Sequence, residues 1–376
     1  MSKLNVELKK VVDDSYEIEI GSNLFDTLLK DLKGELGRGI NRYAIVTDST
    51  VDKLYGHKLY EKMQAEGFAV DIIVFPAGEK SKVRATKEMI EDTMIEKGHK
   101  RDSCIIAIGG GVVTDLAGFV AGTFGRGIPF INYSTTILGA ADASVGGKTA
   151  VDTPIATNLI GLIYQPKKVY IDLATWETLP KEQISNGLAE TIKHACMADA
   201  DFFSFLEENV EKLLAQDGIH DHHDVCEHMA KTNCRIKYEV VRQDEREANL
   251  RQILNLGHTV GRAIETLSDY ALLHGEAVAI GMCMQVKIAS SLGYVTEEEV
   301  ARVINLFKKA NLPTEIPDYM STEQVVEKLY TDKKVRKGKI RFVFQKGIGN
   351  IKCFEDGNYS MPLEEDYIKD VLKEIR

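Results

Sequence analysis

Apolar positions in the first half of the chain fall in short β-branched runs divided by stretches of helical spacing. Residues 4 to 20 alternate apolar and polar around Asp13-Asp14-Ser15, which predicts a β-hairpin. The segment NLFDTLLKDLKGEL then predicts an amphipathic helix, and RYAIVTDST a strand ending at Asp48. AVDIIVF predicts another strand, running into a loop with Glu79 and Lys82 and then a helix over about 83–97. CIIAI (Cys104 to Ile108) is short and β-branched, as a buried strand is, and VVTDLAGFVAGTF after it has helical spacing. This alternation continues to Asp172 and predicts an α/β fold with a mostly parallel sheet.

Beyond Thr175 to Pro180 the pattern changes to long helical periods at about 181–214, 222–247, 250–268, 273–292 and 296–310. A helix near 321–331, the cationic TDKKVRKGK and a hairpin over IRFVFQKGIGNIKCF complete the chain. Two domains are therefore expected, 1–176 as an α/β unit and 177–376 as a helical one.

Composition narrows the function classes. The net charge of −10 argues against nucleic acid or an anionic membrane surface as partner, so any cluster of cations needs a local reason. The N-terminus lacks the apolar core of a signal peptide, no window approaches a membrane span, and the six cysteines form no CxxC pair. A cytoplasmic protein with reduced, mostly buried thiols is expected.

Candidate chemistry concentrates first in Gly109 to Asp152. Gly109-Gly110-Gly111 lies between a predicted strand and a predicted helix, where glycines let backbone N–H groups approach a ligand and the helix N-terminus favours a phosphate. Glycine triplets also occur in plain βα turns. Here Asp115, Thr135, Thr136, Asp142 and Lys148 follow, and Asp48 and Glu79 also fall at predicted strand ends, where ligands of such sheets sit. Asp48 serves equally well as a helix cap. The VGGKT stretch is no P-loop, because Asp142 occupies the position of the required first glycine.

A second constellation lies in DEREANLRQILNLGHTVGRAIE. On one continuous helix Arg251, Asn255, His258 and Arg262 would share a face. His274 opens a later helix, and Glu190 and Lys193 share a face of an earlier one. Two imidazoles and a carboxylate can hold Zn²⁺ or a similar ion with positions left open. His194, four residues after Glu190, could compete as a ligand. His220 to Asp224 (HDHHD) reads as a solvated loop with capping aspartates.

The motifs GGGVVTDLAGFVAGTFGRGI, STTILGAADASVGGKTAVD, NLIGLIYQPKKVYID, SNGLAETIKHA, DEREANLRQILNLGHT, LLHGEAVAIGM and DKK resemble the sugar phosphate cyclase family over nearly the whole chain. The resemblance implies a Rossmann-like N-terminal domain holding NAD⁺, an all-α C-terminal domain holding Zn²⁺ or Co²⁺, and a homodimer. By position it implies Glu190, His258 and His274 as metal ligands. It implies NAD⁺ contacts for Asp48, Glu79 and Lys82, for Gly110, Gly111 and Asp115, for Thr135, Thr136 and Leu138, and for Asp142 and Thr178. Lys148, Asn158, Lys193, Lys237, Arg251, Asn255 and one of Lys333 or Lys334 match binders of substrate carboxylate and phosphate. Arg126 matches an arginine that reaches the partner subunit's site, and Glu247 an acid near the reacting centre.

The implied reaction turns 3-deoxy-D-arabino-heptulosonate 7-phosphate into 3-dehydroquinate and phosphate, by transient oxidation, elimination, reduction and aldol closure. Two positions depart from the family pattern: Arg262 replaces a usual histidine, and Thr157 replaces a lysine near nicotinamide and phosphate. Arg262 cannot accept a proton at neutral pH but can bind an anion, so the pair can keep the charge of the site. Another sugar phosphate cyclase and a metal-dependent alcohol or glycerol dehydrogenase are the alternatives, and a non-catalytic ligand-binding relative is a third.

Overall fold

The computed structural model describes residues 3–9, 11–154, 156–330 and 339–374. Its centre is a six-stranded parallel sheet of β1 (Glu17–Gly21), β2 (Arg42–Asp48), β3 (Val70–Phe75), β4 (Ser103–Gly109), β5 (Phe130–Ser134) and β8 (Lys168–Asp172), in the order β1-β8-β5-β4-β2-β3. All seven residues of β4 are buried, as its unbroken apolar run requires in a sheet covered on both faces.

Alternation along the strands feeds two cores. Tyr43, Ile45, Cys104 and Ile106 pack on one face under α1 (Phe25–Lys33) and α2 (His57–Ala65). Ala44, Val46, Ile105 and Ala107 pack on the other under α3 (Arg84–Glu96) and α4 (Gly111–Thr123). The connections run outward from β2 to β3 and then back across β2 to β4. Chain direction therefore switches between the carboxyl ends of β2 and β4, where such sheets bind ligands.

The antiparallel hairpin β6 (Lys148–Thr153) and β7 (Ala156–Ile163) stands apart from this sheet. It is tied to the loop before α3 by the Asp152 N–H, which donates to the Lys82 carbonyl at 2.7 Å. From Lys181 onward the chain is helical: α5 (Lys181–Ala198), α6 (Ala200–Leu213), α7 (His223–Gln243), α8 (His258–Leu267), α9 (His274–Ser291), α10 (Glu297–Lys309) and α11 (Thr322–Leu329). Strands β9 (Arg341–Val343) and β10 (Ser360–Pro362) pair antiparallel, and α12 (Glu365–Glu374) follows. The largest core runs from Val169 and Ile171 into these helices, so the two halves share apolar packing. No helix among the described residues is long and apolar enough to cross a membrane.

Several predicted elements are corrected. The described residues among 3–15 contain no strand: β1 is taken by β8 in parallel register, and among them only an Asp13-Ser15 turn survives of the predicted hairpin. The predicted helix 181–214 divides at Asp199, whose carboxylate caps α6 through the Phe202 N–H. HDHHD is not a loop, since Gly218–Asp221 forms a helical turn and His223 opens α7. The C-terminal hairpin is short: Gln345 and Ile351 bridge antiparallel, with the Lys346 N–H on the Asn350 carbonyl and the Lys352 N–H on the Phe344 carbonyl, while β9 pairs with β10. Five cysteines are buried thiols, and Cys353 is exposed.

Candidate active site

The predicted stripe of Arg251, Asn255, His258 and Arg262 is not carried by one helix. Leu250–Asn255 forms a 3₁₀ turn, and the chain then breaks at Leu256-Gly257, with Gly257 at φ 77°. The break leaves His258 as the first residue of α8. All four side chains nevertheless line one cavity of about 280 Å³.

Behind His258, which lines this cavity, Glu190 of α5 is fully buried, and its Oε1 lies 3.4 Å from His258 Nε2 and 3.6 Å from His274 Nε2. The outer ring nitrogens fix how each imidazole is turned. His258 Nδ1 lies 3.1 Å from the Leu256 carbonyl, and His274 Nδ1 lies 3.2 Å from the nearer Glu265 oxygen. Assigned from these bonds, each Nδ1 donates, so in the neutral ring, the form that binds a metal, each Nε2 lone pair faces Glu190.

Glu190 Oε1 has no hydrogen-bond partner, while Lys193 donates to Oε2 and to the Leu254 carbonyl. Three lone-pair atoms facing one another, one of them an orphaned buried carboxylate oxygen, fit a divalent cation and little else. Burial, then the Lys193 ammonium, holds His258 well below the usual imidazole range. Burial also acts to lower His274, but Glu265 and Glu190 outweigh it and raise the group to about 10. The same negative field attracts a metal.

Asp142, Glu190 and His194 also bring donor atoms within 4.8 Å of one another. Lys237 already sits on Asp142 Oδ1 at 2.7 Å and Lys193 on Glu190, so two ammonium groups oppose a cation there. His194 is fully buried, its Nδ1 is occupied by Asn233, and burial lowers it to about 4.

The rest of the cavity is lined for anions. Arg251 is 1% exposed and donates to the Glu245 carbonyl and, at 2.8 Å, to the Gly146 carbonyl, while its Nε has no partner. Lys148 reaches Glu247, which also accepts from Asn255 Nδ2 at 2.5 Å. Asn158 lines the same wall at φ 53°, with its N–H on Asp152 Oδ1 at 2.7 Å. Arg262 also lines the cavity, and its guanidinium makes no hydrogen bond or ion pair among the described residues. Asp115, Asp142, Thr149, Lys237 and His258 complete the polar lining.

Around the crevice between β2 and β4 lie the predicted dinucleotide contacts. The turn after β4 is tight, for a Cβ on Gly109 would stand 2.5 Å from Val113. Lys82 is buried and ion-paired with Asp115 at 2.5 Å, with Glu79 at 3.7 Å. Burial opposes the Lys82 charge, yet the Asp115 and Glu79 carboxylates hold its ammonium above the ordinary range. Thr135 Oγ1 is buried without a partner, whereas Thr136 Oγ1 accepts from the Gly139 N–H and Leu138 leads into that turn. Asp48 accepts from the Thr50 and Val51 N–H groups, so its capping role is realised. Thr178 bonds Tyr55, and Thr157 lies half-buried on β7 beside Asn158.

Arg126 is exposed at φ 71° and does not line its own chain's cavity. Lys333 and Lys334 lie outside the described residues. Two side chains that the sequence reading missed are Glu265, which orients His274, and Tyr16, which accepts from the Gly146 N–H. Glu265 stands seven residues after His258, two helical turns along, which is the one signal that could have found it.

The family model described as 3-dehydroquinate synthase N-terminal matches residues 72–186, and that described as 3-dehydroquinate synthase C-terminal matches residues 187–335. The 3-dehydroquinate synthase of Thermoanaerobacter pseudethanolicus is 42% identical over 374 residues, covering 99% of this chain and 100% of that one. Among solved structures, the 2-epi-5-epi-valiolone synthase of Streptomyces hygroscopicus subsp. jinggangensis, with NAD⁺ and Zn²⁺ bound, superposes with a TM-score of 0.86 at 27% identity, covering 99% of both chains. A 2-deoxy-scyllo-inosose synthase complexed with carbaglucose-6-phosphate, NAD⁺ and Co²⁺ gives 0.85 at 25% identity over 96% of both.

Proposed function

The chain belongs to the 3-dehydroquinate synthase family, and from that premise we propose how its own residues divide the conversion of 3-deoxy-D-arabino-heptulosonate 7-phosphate into 3-dehydroquinate and phosphate. Residues 1–176 form the NAD⁺-binding domain and 177–376 the helical domain that holds metal and substrate. Glu190, His258 and His274 hold Zn²⁺ or Co²⁺. Glu79, Lys82, Asp115, Asp142 and the Gly110-Gly111 turn hold NAD⁺. When bound, the cation supplies a Lewis acid for a substrate hydroxyl and NAD⁺ a reversible hydride acceptor.

The chain's own groups bind and orient. Arg251 and Lys237 take the carboxylate, and Lys148, Asn158 and Arg262 take the phosphate, since a doubly anionic substrate needs several charged donors in a closed site. Glu247, held between Lys148 and Asn255, is placed to hold a proton near the reacting carbons. Lys193 neutralises Glu190 from below and keeps its free oxygen aimed at the imidazoles. The carrying observation is the orphaned Glu190 Oε1 facing two imidazole nitrogens, one of them from His258 in the wall of a cation-lined cavity.

A cytoplasmic homodimer agrees with the remaining features. Arg126 is exposed in a backbone state uncommon for arginine and away from its own cavity, which suits service to the partner's phosphate. The test is incubation with the heptulosonate phosphate, NAD⁺ and Zn²⁺, with phosphate and product both measured. Equimolar phosphate and 3-dehydroquinate without net NADH is expected. Phosphate without dehydroquinate would mean another sugar phosphate, and net NADH from an alcohol would mean a dehydrogenase.

A further inference from the structure

Arg251 is a buried guanidinium with no carboxylate in ion-pair contact among the described residues. Its plane is set by two backbone carbonyls, Glu245 on its own segment and Gly146 from 105 positions away in the chain. A guanidinium held by carbonyls alone is only as well placed as those carbonyls, and its Nε–H is left for a ligand.

Gly146 is gripped from two sides. Its carbonyl accepts from Arg251 Nη2 at 2.8 Å, and its N–H donates to Tyr16 Oη at 2.9 Å. The backbone there is left-handed, at φ 93°, and an added Cβ would stand 2.7 Å from Arg251 Nη2 and 2.8 Å from Val241 Cγ2. The guanidinium comes this close only because the position is glycine. Tyr16 immediately precedes β1, whose parallel register with β8 fixes it to the sheet, and its ring packs half-buried against the helical core. The chain of contacts thus runs from the sheet, through one phenol and one glycine, to the cavity wall.

We propose that Tyr16 is a positioning residue, which sets the Gly146 carbonyl and through it the orientation of Arg251 toward the substrate carboxylate. The inference rests on the reading of Arg251 as the carboxylate partner. Burial, opposed by the hydrogen bond from the Gly146 N–H, raises the Tyr16 pKa above its ordinary value, so the phenol stays neutral where the enzyme works. An accepting oxygen beside a guanidinium also favours that cation electrostatically.

Tyr16→Phe keeps the ring and removes the oxygen. The loss of one net hydrogen bond is expected to raise KM for the heptulosonate phosphate about fivefold, with kcat, NAD⁺ affinity and Tm near wild type. Arg251→Lys keeps the charge and loses the fork, and in that background Tyr16→Phe should raise KM no further. A KM unchanged in Tyr16→Phe, or raised by the same factor in both backgrounds, overturns the inference, because a merely structural tyrosine acts independently of Arg251. Gly146→Ala approaches Arg251 from the other side; should Tyr16→Phe fail to fold, an unchanged KM in Gly146→Ala overturns it equally. If Arg251→Lys itself leaves KM at the wild-type value, the assignment of Arg251 to the carboxylate fails first, whatever Tyr16→Phe does.

Discussion

Glu265→Gln isolates the contribution of a carboxylate that touches no ion itself. Both Glu265 oxygens lie 3.2 to 3.3 Å from His274 Nδ1, and the residue is 9% exposed, so solvent screens the contact little. The substitution keeps shape and one accepting oxygen and removes the charge. A hydrogen bond with a charged partner contributes about 1.5–3 kcal/mol against about 0.5–1.5 for a neutral one, so roughly 1–1.5 kcal/mol is lost at the imidazole. Partners behind metal-bound histidines alter metal affinity by about 10- to 100-fold, or roughly 1.4–2.7 kcal/mol. The two ranges meet near tenfold. Zn²⁺ or Co²⁺ affinity should therefore fall by about a factor of ten, read by competition with a chelator of known affinity. The Co²⁺ absorption spectrum should keep its shape, because the ligand set is intact. A folded variant with metal affinity within about twofold of wild type, well below that range, would refute the role given to Glu265.

Removing Arg262 (Arg262→Ala) should raise KM about 10- to 100-fold by loss of a charge-assisted contact to phosphate, with kcat much less affected; an unchanged KM would remove Arg262 from the site. Lys82→Met leaves the Asp115 and Glu79 carboxylates buried without their cation and should cost about 3–5 kcal/mol in denaturant unfolding, whereas a cost under about 1 kcal/mol would show water already compensates them. His99 is buried against Asp71 at 3.1 Å, and burial lowers its pKa despite the carboxylate. A base depressed in the folded state contributes stability that is fully present above 6.5 and is lost as pH falls below it, because the unfolded chain takes the proton first. His99→Gln should flatten the fall of Tm below pH 6.5, and an unchanged slope would exclude His99 as its source.

Much of the sheet was legible because buried parallel strands leave continuous apolar runs, and Cys104 to Ile108 is one. The N-terminal strand was misread for a physical reason. Alternation predicts a half-buried strand but not its partner, and β1 finds its partner about 150 residues away in β8. Helical spacing likewise reported that Arg251, Asn255, His258 and Arg262 converge, without reporting the break at Gly257 between them. Glu265 and Tyr16 were invisible because each acts by touching a residue that touches the cavity, a relation set by tertiary packing and not by spacing.

The segment from Asp142 to Lys148 explains why the cavity needs both halves of the chain. Lys237 and Arg251, from the helical half, hold Asp142 and the Gly146 carbonyl, while Asn132 of β5 and Tyr16 before β1 hold the Ser144 carbonyl and the Gly146 N–H. A displacement of either half moves Asp142, proposed to face the dinucleotide, together with Lys148, proposed to face the phosphate. Burial tends to raise Asp142, but the Lys237 ammonium holds it well below the usual carboxylate range, so Asp142 stays ionised and its contact with Lys237 pins the segment. Asp142 and Lys148 are thereby kept in register with each other and with Arg251. On the proposed assignment of these residues, one short loop sets the distance between the cofactor and the charged ends of the substrate.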